Sequence, residues 1–186
     1  MAENRIKTGK CRASYLNVIT PRAAQPNAEP KYSVALLIPK SDTDTYKRVQ
    51  AAIKAALEMD REGKNKLKGV KNPKVSLHDG DGEKPNGGEY GPECKGHWVL
   101  NASNKDQPGL VGPDNEIMKD KEEWYSGIYV KADITFSAFD TAGNKGIGCY
   151  LNHIKKLKDG EALSGAGSAT EAFKDDEWED DEDSVI

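Results

Sequence analysis

The feature that most constrains the fold is an uninterrupted alternation of side-chain type over residues 127–139. Every second position from Ile128 to Ala138 is apolar, and the positions between them are polar or aromatic. A period of two is typical of a β-strand that packs one face on a core. Residues 140–146 carry the glycines that a hairpin turn requires, and residues 147–157 return with Ile147, Cys149 and Leu151 on one face. Residues 127–157 are therefore predicted to form a long β-hairpin.

Four further strands are predicted from alternating or continuously apolar segments. The segment that ends at Pro39 is apolar at nearly every position, which is typical of a strand covered on both faces. Residues 79–96 hold six glycines and two prolines, so we expect an extended loop or long hairpin tip there, and residues 103–123 have no clear period. The four strands are predicted at residues 11–19, 32–38, 75–78 and 97–102.

One helix is predicted between the second and third of these strands. From Val49 to Leu57, the apolar residues fall at positions i, i+3, i+4, i+7 and i+8, which places them on one helical stripe. Ser41 or Asp42 can cap the start of this helix, and Gly63 lies beyond its end. Six strands and one helix predict a mainly β protein, a small closed or partly closed barrel with long loops.

The charge of the chain is divided unevenly along its length. Residues 1–158 carry 26 Lys and Arg against 20 Asp and Glu, whereas residues 159–186 carry one Lys against 11 Asp and Glu. A basic body with an acidic tail is typical of nucleic-acid-binding proteins, and a tail that only maintains solubility is the alternative. The division predicts one domain over residues 1–158 and a flexible, disordered acidic tail over residues 159–186.

The acidic tail also contains apolar residues that a plain solubility tail does not need. Nine of the sixteen residues 171–186 are acidic. Such a segment can mimic DNA, with carboxylates in place of phosphates and a ring in place of a base, or it can dock in a basic pocket of a partner protein. The predicted partner-binding residues are Phe173, Asp175, Asp176, Trp178, Asp180, Asp181, Asp183, Val185 and Ile186.

The polar face of the strand 127–139 combines aromatic rings with lysine. Exposed rings can stack on unpaired bases and lysines can contact phosphates, so this face suits single-stranded nucleic acid. Aromatic residues that merely cover a neighbouring strand are the alternative. A lysine-rich run over residues 64–74 is either a phosphate-contacting loop or a solvated one. The candidate DNA-binding residues are Tyr129, Lys131, Phe139, Trp98, Tyr32, Lys31, Lys145, Tyr150 and Lys71.

Two cysteine–histidine pairs have spacings that a zinc site could use. They are Cys94 with His97 and Cys149 with His153. The second pair lies in a predicted strand, where ligands four residues apart do not converge. We therefore interpret the cysteines as structural thiols and expect no metal. Three scattered cysteines also exclude a disulfide scaffold and indicate a reducing compartment.

No catalytic motif stands out in the sequence. Residues 79–83, Asp-Gly-Asp-Gly-Glu, resemble the start of a calcium loop, but Lys84 occupies the sixth position and Tyr90 the twelfth, where glycine and glutamate are expected. A turn is the better interpretation. Phosphate-binding loops, nucleophile elbows and dinucleotide fingerprints are missing from the sequence. We therefore expect a protein that is not an enzyme and uses no cofactor.

Several short motifs, taken together in their order, point to one family. They are Ser14-Tyr-Leu-Asn, Lys31-Tyr-Ser-Val-Ala-Leu-Leu-Ile-Pro-Lys40, Asp79-Gly-Asp81, Trp124-Tyr-Ser-Gly127, Gly143-Asn-Lys-Gly146, Leu151-Asn152 and Lys158-Asp-Gly-Glu161. This series resembles bacteriophage single-stranded DNA-binding proteins, a family first catalogued as a domain of unknown function. The resemblance implies an OB-fold, sequence-tolerant binding of single-stranded DNA and a role in phage replication or recombination. The predicted helix precedes the third barrel strand, earlier than in the commonest OB topology.

Two other classes of function remain as alternatives. One is a structural or assembly protein of a virion, and the other is a metal-dependent nuclease that would use Asp79, Asp81 and Glu83. The sequence contains no apolar run of membrane-spanning length and no apolar segment of signal-peptide type near its start. We therefore expect no membrane partner and a soluble protein in the cytoplasm of the infected bacterial host. Replication or recombination proteins are the expected partners of the tail.

Overall fold

The computed structural model describes residues 3–85 and 87–163, which form nine strands and one long helix. In chain order these are β1 (Arg5–Lys7), β2 (Cys11–Arg22), β3 (Lys31–Pro39), α1 (Thr43–Glu62), β4 (Lys74–Val75), β5 (Leu77–Asp79), β6 (His97–Asn104), β7 (Gly109–Val111), β8 (Tyr129–Thr141) and β9 (Asn144–Lys158). Two 3₁₀ turns lie at Pro92–Cys94 and Lys121–Glu123.

The five long strands close on one another in the order β2–β3–β6–β9–β8 and back to β2. All neighbours are antiparallel except β6 and β9, which pair in parallel at Ser103 and Tyr150. In chain order these barrel strands are first, second, third, fifth and fourth, which is the arrangement of an OB-fold. The expected small β-barrel is therefore confirmed.

The barrel core follows from the alternation in β8 and β9. Side chains alternate between the two faces of a strand, so the apolar positions of both strands point into the barrel. Phe136, Ile134 and Leu151 are fully buried there, and the inner residues of β2, β3 and β6 join the same core. One buried apolar face is typical of a barrel filled by its own side chains.

The helix α1 covers one end of the barrel and packs against β8 and β1. The carboxylate of Asp42 accepts hydrogen bonds from the backbone N–H and the hydroxyl of Thr45, at 3.1 and 2.6 Å, so Asp42 is the N-cap. The apolar stripe predicted from the sequence begins at the buried Val49 and packs on the core. None of the helices in the described ranges has the length and apolarity needed to cross a membrane.

The short strands are the part of the fold that differs from expectation. The segment predicted as one strand at 75–78 is divided into β4 and β5, and the stretch 103–123 contains β7. Strands of two or three residues are too short to show a period of two. The hairpin turn is also shorter than expected, because only Ala142 and Gly143 lie between β8 and β9.

Candidate nucleic-acid interface

A row of small polar side chains crosses the outer surface of the barrel. Residues directly opposite each other in a ladder point to the same side of a sheet. The ladders place Asn17 opposite Ser33, Ser33 opposite Ser103, Ser103 beside Tyr150, and Tyr150 opposite Thr135. We call these five residues the polar band. It crosses all five barrel strands from β2 to β8, and Tyr150 is its most exposed member at 37%.

The outer surface beside the polar band is covered. Ala35, Leu37 and Val99 also point outward, but they form a second apolar cluster with the buried Cys94. Tyr90 packs against this cluster from the loop before β6. The accessible part of the β3–β6 surface is therefore bounded on one side by this loop, and the polar band forms its floor.

Two of the predicted stacking residues lie together on the hairpin. A Cβ atom at Gly148 would lie 3.4 Å from a ring carbon of Tyr150 and 3.5 Å from a ring carbon of Phe139. Gly148 therefore separates two aromatic rings on the outer face of β8 and β9. Phe139 is paired with Gly146, so no side chain lies opposite it in the ladder. The structure therefore brings the candidate Phe139 close to the candidate Tyr150, which is a member of the polar band.

The other end of the hairpin is basic. The ammonium groups of Lys10 and Lys158 lie 5.5 and 4.9 Å from the centre of the Tyr129 ring, within the range of cation–π attraction. Lys131 is exposed and is paired with Lys155 on β9. The predicted Tyr129 therefore lies between two lysines, and the predicted Lys131 lies two residues further along β8 beside a third, Lys155.

The lysine-rich loop lies near the turn of the same hairpin. The ammonium group of Lys66 is 3.5 Å from the Ala138 carbonyl oxygen, and Lys74 is paired with Gly146 through the β4–β9 ladder. The predicted Lys71 is exposed on this loop. Positive charge therefore lies near the hairpin turn as well as at the opposite end of the hairpin.

The side chain of the predicted Lys145 lies on the opposite face of the hairpin from that of Phe139. Lys145 is opposite Asp140 in the β8–β9 ladder, and its ammonium group lies 3.9 Å from the Asp140 carboxylate. A neutralised ammonium group attracts phosphate less than an unpaired one.

The predicted residues at the start of β3 lie at the β2–β3 side of the barrel. Lys31 is exposed and is paired with Arg22, so two cations lie side by side. Tyr32 is half-buried and opposite Asn104. Since Ser33 belongs to the polar band, Tyr32 points to the other face of β3. The structure thus brings Lys31 near the band and directs the Tyr32 ring away from it.

The predicted Trp98 is not brought together with the hairpin residues. Its ring stacks on that of Tyr46 in α1, with centroids 4.6 Å apart and 17° between the planes. The Lys40 ammonium group lies 4.7 Å from the centre of the Trp98 ring. Because Val99 points outward, Trp98 points to the opposite side of β6, where it packs against the core.

Two of the three acidic residues considered for a nuclease site, Asp79 and Asp81, are engaged in ion pairs. Lys40 Nζ donates to Asp79 at 2.6 Å and to Asp81 at 2.8 Å, and these hydrogen bonds lower the pKa of both carboxyl groups. Asp81 also accepts a backbone hydrogen bond from Gly96. Within residues 3–85 and 87–163, no three potential ligand residues are grouped as a metal ion would need.

The cysteine–histidine pairs do not converge either. Cys149 points into the barrel, where burial raises the pKa of its thiol well above the ordinary range, whereas His153 is exposed. Cys94 is buried in the second apolar cluster, and the Nδ1 atom of His97 lies 2.7 Å from the Lys95 carbonyl oxygen.

The start of the charge-defined tail is attached to the barrel. Lys156 is 3% exposed, and its ammonium group donates to Glu123 and Asp159, at 2.6 Å each. Burial disfavours the charged form of Lys156, but the two hydrogen bonds outweigh this effect, and the pKa of its ammonium group is raised. The Tyr125 hydroxyl donates to the same Asp159 carboxylate at 3.0 Å.

Further backbone contacts continue this attachment to the end of the described chain. The Arg12 guanidinium donates to the Glu161 carbonyl at 2.6 Å, and the Leu163 N–H donates to the Ser126 carbonyl at 2.8 Å. Residues 159–163, which the charge division assigns to the tail, thus pack on the domain and fix where the following chain leaves it. The predicted tail residues, from Phe173 to Ile186, lie outside the described residues.

Sequence patterning misses one residue of this surface, Tyr15. It is 68% exposed and lies on β2 two residues before the polar band residue Asn17. An irregularity in the β2–β3 register places it there, and the alternation of the sequence does not reveal such an irregularity. The one available signal is that Tyr15 belongs to a family-like motif, Ser14-Tyr-Leu-Asn.

Comparison with known proteins identifies relatives over nearly the whole chain. The family model described as Enterobacter phage Enc34, ssDNA-binding protein, matches residues 4–185. Protein p50 of Acyrthosiphon pisum secondary endosymbiont phage 1 is 28% identical over 179 residues, which cover 92% of this chain and 93% of p50.

Solved structures show the same fold. The single-stranded DNA-binding protein from bacteriophage Enc34, in complex with ssDNA, superposes with a TM-score of 0.69 at 28% identity, covering 87% of this chain and 90% of that one. The single-stranded DNA-binding protein gp2.5 of bacteriophage T7 superposes with a TM-score of 0.62 at 14% identity, covering 97% and 98%, and this likeness concerns the fold alone. The family match over residues 4–185, together with the OB-type barrel, shows that the chain belongs to the Enc34 single-stranded DNA-binding protein family of bacteriophages.

Proposed function

We propose that this protein is a non-enzymatic, sequence-tolerant binder of single-stranded DNA. The observation that carries the proposal is the open outer surface on which Phe139 and Tyr150 lie beside the polar band, with lysines at both ends of the hairpin. Small side chains in the floor allow close approach of a strand, and aromatic rings stack on any base. The Enc34 protein, solved in complex with ssDNA, supports the same ligand.

The positions of the basic residues support contact with the phosphate backbone. Lys131, Lys155 and Lys158 lie with Tyr129 at one end of the hairpin, and the lysine-rich loop lies near the other. Single-stranded DNA on this side of the barrel therefore finds positive charge near both ends of the hairpin and aromatic rings between them. Lysine contacts with phosphate carry no sequence information, which supports sequence-tolerant binding.

The helix does not offer a means of reading duplex sequence. Its apolar stripe is packed on the barrel, and Tyr46 on its first turns is stacked on Trp98. A helix that enters the major groove must present a free face of base-contacting side chains near its N-terminus. Stacking on unpaired bases therefore accounts for the surface better than groove recognition.

The direct test is a fluorescence-anisotropy titration of labelled oligo(dT) with the full chain, repeated with duplex DNA of the same length. We expect saturable binding of oligo(dT) and of a mixed-sequence strand with similar affinity, and weaker binding of the duplex. Absence of oligo(dT) binding at low salt would refute the proposal. Incubation of labelled strands with Mg²⁺ or Mn²⁺ tests the nuclease alternative, and we expect the strands to stay intact because Lys40 forms ion pairs with both Asp79 and Asp81.

The cellular role that we propose is protection of single strands during phage DNA replication or recombination, in the cytoplasm of the infected host. Within this role, the acidic tail competes with DNA for the basic surface and recruits replication or recombination proteins when DNA displaces it. The net charges of −10 on residues 159–186 and +6 on residues 1–158 favour the intramolecular contact.

The geometry of the attached segment supports competition by the tail. Leu163, the last residue that the structure describes, is bonded to Ser126, and the Ser126 hydroxyl accepts from the Leu16 N–H on β2 at 3.0 Å. A flexible chain of ten residues, the separation between Leu163 and Phe173, has a root-mean-square reach of about 17 Å. Crossing from β2 to β9 spans three strand spacings, about 14 Å. The tail is therefore long enough to cover the polar band.

A further inference from the structure

The bulge in β2 sets Tyr15 apart from every other aromatic residue of the surface. Ser14 is paired with Ala35, and Asn17 with Ser33, so three steps along β2 match two along β3. Leu16 turns inward and packs against the core, whereas Tyr15 is 68% exposed. Such a bulge re-aims one side chain without interrupting the sheet. Here it inserts a tyrosine ring into the outer surface next to the polar band.

The backbone of Tyr15 is strained. Its φ is +46°, in the left-handed region that side chains with a Cβ atom disfavour and that glycine adopts easily. Tyrosine gains no burial in return, because most of its side chain is exposed to solvent. Strained positions of this kind tend to occur at functional sites, where the surrounding structure enforces them.

Neighbouring groups hold the strained conformation from both sides. The Leu16 N–H donates to the Ser126 hydroxyl at 3.0 Å, and the Asn17 side-chain amide donates to the Tyr15 carbonyl at 3.1 Å. The ring is thus presented from a fixed backbone. Pre-organisation of this kind reduces the entropy lost when a ligand stacks on the ring.

Several of the other aromatic rings outside the barrel core have partners. Tyr129 lies between two lysines, Tyr46 and Trp98 stack on each other, and Tyr125 lies beside Lys156. In the parts of the chain that the structure describes, no ring stack or cation–π pair involves Tyr15. A strained, pre-oriented and unstacked ring is suited to a ligand that supplies its own flat surface.

We propose that Tyr15 is a base-stacking residue, and that bound single-stranded DNA crosses the polar band from Tyr15 on β2 to Tyr150 on β9. This inference rests on the proposed function and adds to it a direction for the strand across the barrel. The two rings mark the ends of a floor formed by Asn17, Ser33 and Ser103, three side chains too small to obstruct bases. A strand on this path places bases on the two tyrosines and directs phosphates toward flanking lysines.

The test uses Tyr15→Gly in the full chain, because glycine removes the ring and suits the left-handed backbone. We expect its thermal unfolding midpoint to equal or exceed that of the wild type. Loss of one stacked base corresponds to about a 5- to 150-fold weaker affinity for oligo(dT) in the anisotropy titration. Tyr15→Phe should bind like the wild type, since the ring remains.

Two controls separate stacking from other effects. Ile117→Gly removes an apolar side chain that is 78% exposed in the loop after β7, and it should leave affinity unchanged. A strand of the same length made of abasic nucleotides should bind Tyr15→Gly and the wild type equally, because it offers phosphates without bases.

The outcomes distinguish this inference from the proposed function. If the wild type does not bind oligo(dT), the proposed function itself fails. If the wild type binds and Tyr15→Gly binds equally well, only the role of Tyr15 is overturned. A loss of affinity that is as large for the abasic strand as for oligo(dT) would also overturn it, because the ring would then not act through bases.

Discussion

At the scale of single residues, the surroundings of each aromatic side chain decide what it can do. Phe139 and Tyr150 lie on the outer face of the hairpin on either side of Gly148, whereas the Trp98 ring is engaged by Tyr46 and Lys40. All of them are large and aromatic in the sequence. Only the ladder register separates those that face the open surface from those that stabilise the fold.

The first prediction concerns Phe139. Replacing it with alanine should weaken oligo(dT) binding by about 1–3 kcal/mol, because the variant loses a ring that can stack on a base. Anisotropy titrations report the affinity and circular dichroism reports the fold. Trp98→Ala is the matched control: we expect it to lower the unfolding midpoint, since it removes the Tyr46 stack. Unchanged affinity in well-folded Phe139→Ala and Tyr129→Ala variants would show that this face does not bind DNA.

At the scale of elements, length determines what the sequence reveals. The strand β8 is long enough for alternation to identify its buried face, and the periodic stripe and cap of α1 are equally clear. In β9 the alternation holds from Ile147 to Leu151 and then shifts, because the β8–β9 register is irregular there and Ile154 is the next buried apolar residue. β1 and β7 have three residues each and depend on pairing with β8 and β9, which local sequence does not encode. The same reason hides the β2 bulge, because it exists only relative to the register of β3.

The second prediction concerns the cap of α1. Hydrogen bonds from the Thr45 hydroxyl and N–H lower the pKa of Asp42. Because the folded-state pKa lies below the unfolded value of about 3.9, the carboxylate stabilises the protein above that pH and loses this effect as the pH falls through the folded-state value. Asp42→Ala should therefore be about 1 kcal/mol less stable than the wild type at pH 7.

Urea unfolding at pH 7 and at successively lower pH values checks this prediction. The difference in the free energy of unfolding between the wild type and Asp42→Ala should shrink as the pH falls below about 4. Thr43→Ala, one residue further into the exposed first turn, is the control and should show little change at any pH. A difference that stays constant on acidification would mean that the charged carboxylate is not the stabilising group.

At the scale of the whole molecule, charge is the dominant property. The family resemblance and the charge division both follow from the sequence, but the sequence does not show where the tail leaves the domain. The buried Lys156, which pairs with Glu123 and Asp159, attaches residues 159–163 to the barrel. This attachment brings together groups far apart in the chain, such as Arg12 and Glu161, and charge composition alone does not reveal it.

The third prediction is that deleting residues 171–186 tightens binding of single-stranded DNA. The deletion removes nine carboxylates that compete with phosphates for the basic surface, and the gain should be largest at low salt because screening weakens the tail contacts. Anisotropy titrations of the full chain and the deletion variant measure the gain in affinity. A full chain in which the tail acids are replaced by Asn and Gln should match the deletion. Equal affinities at low salt would falsify competition by the tail.

The salt dependence of oligo(dT) binding tests the central claim, that lysines on an open barrel face hold a single strand by its phosphates while rings stack on its bases. The measurement is the association constant of the full chain across a salt series. Each neutralised phosphate should contribute a slope of about −0.7 in log K against log salt concentration. A slope that indicates several contacts, and is the same for oligo(dT) and a mixed-sequence strand, is the predicted result. An affinity that does not change between low and high salt would contradict the account.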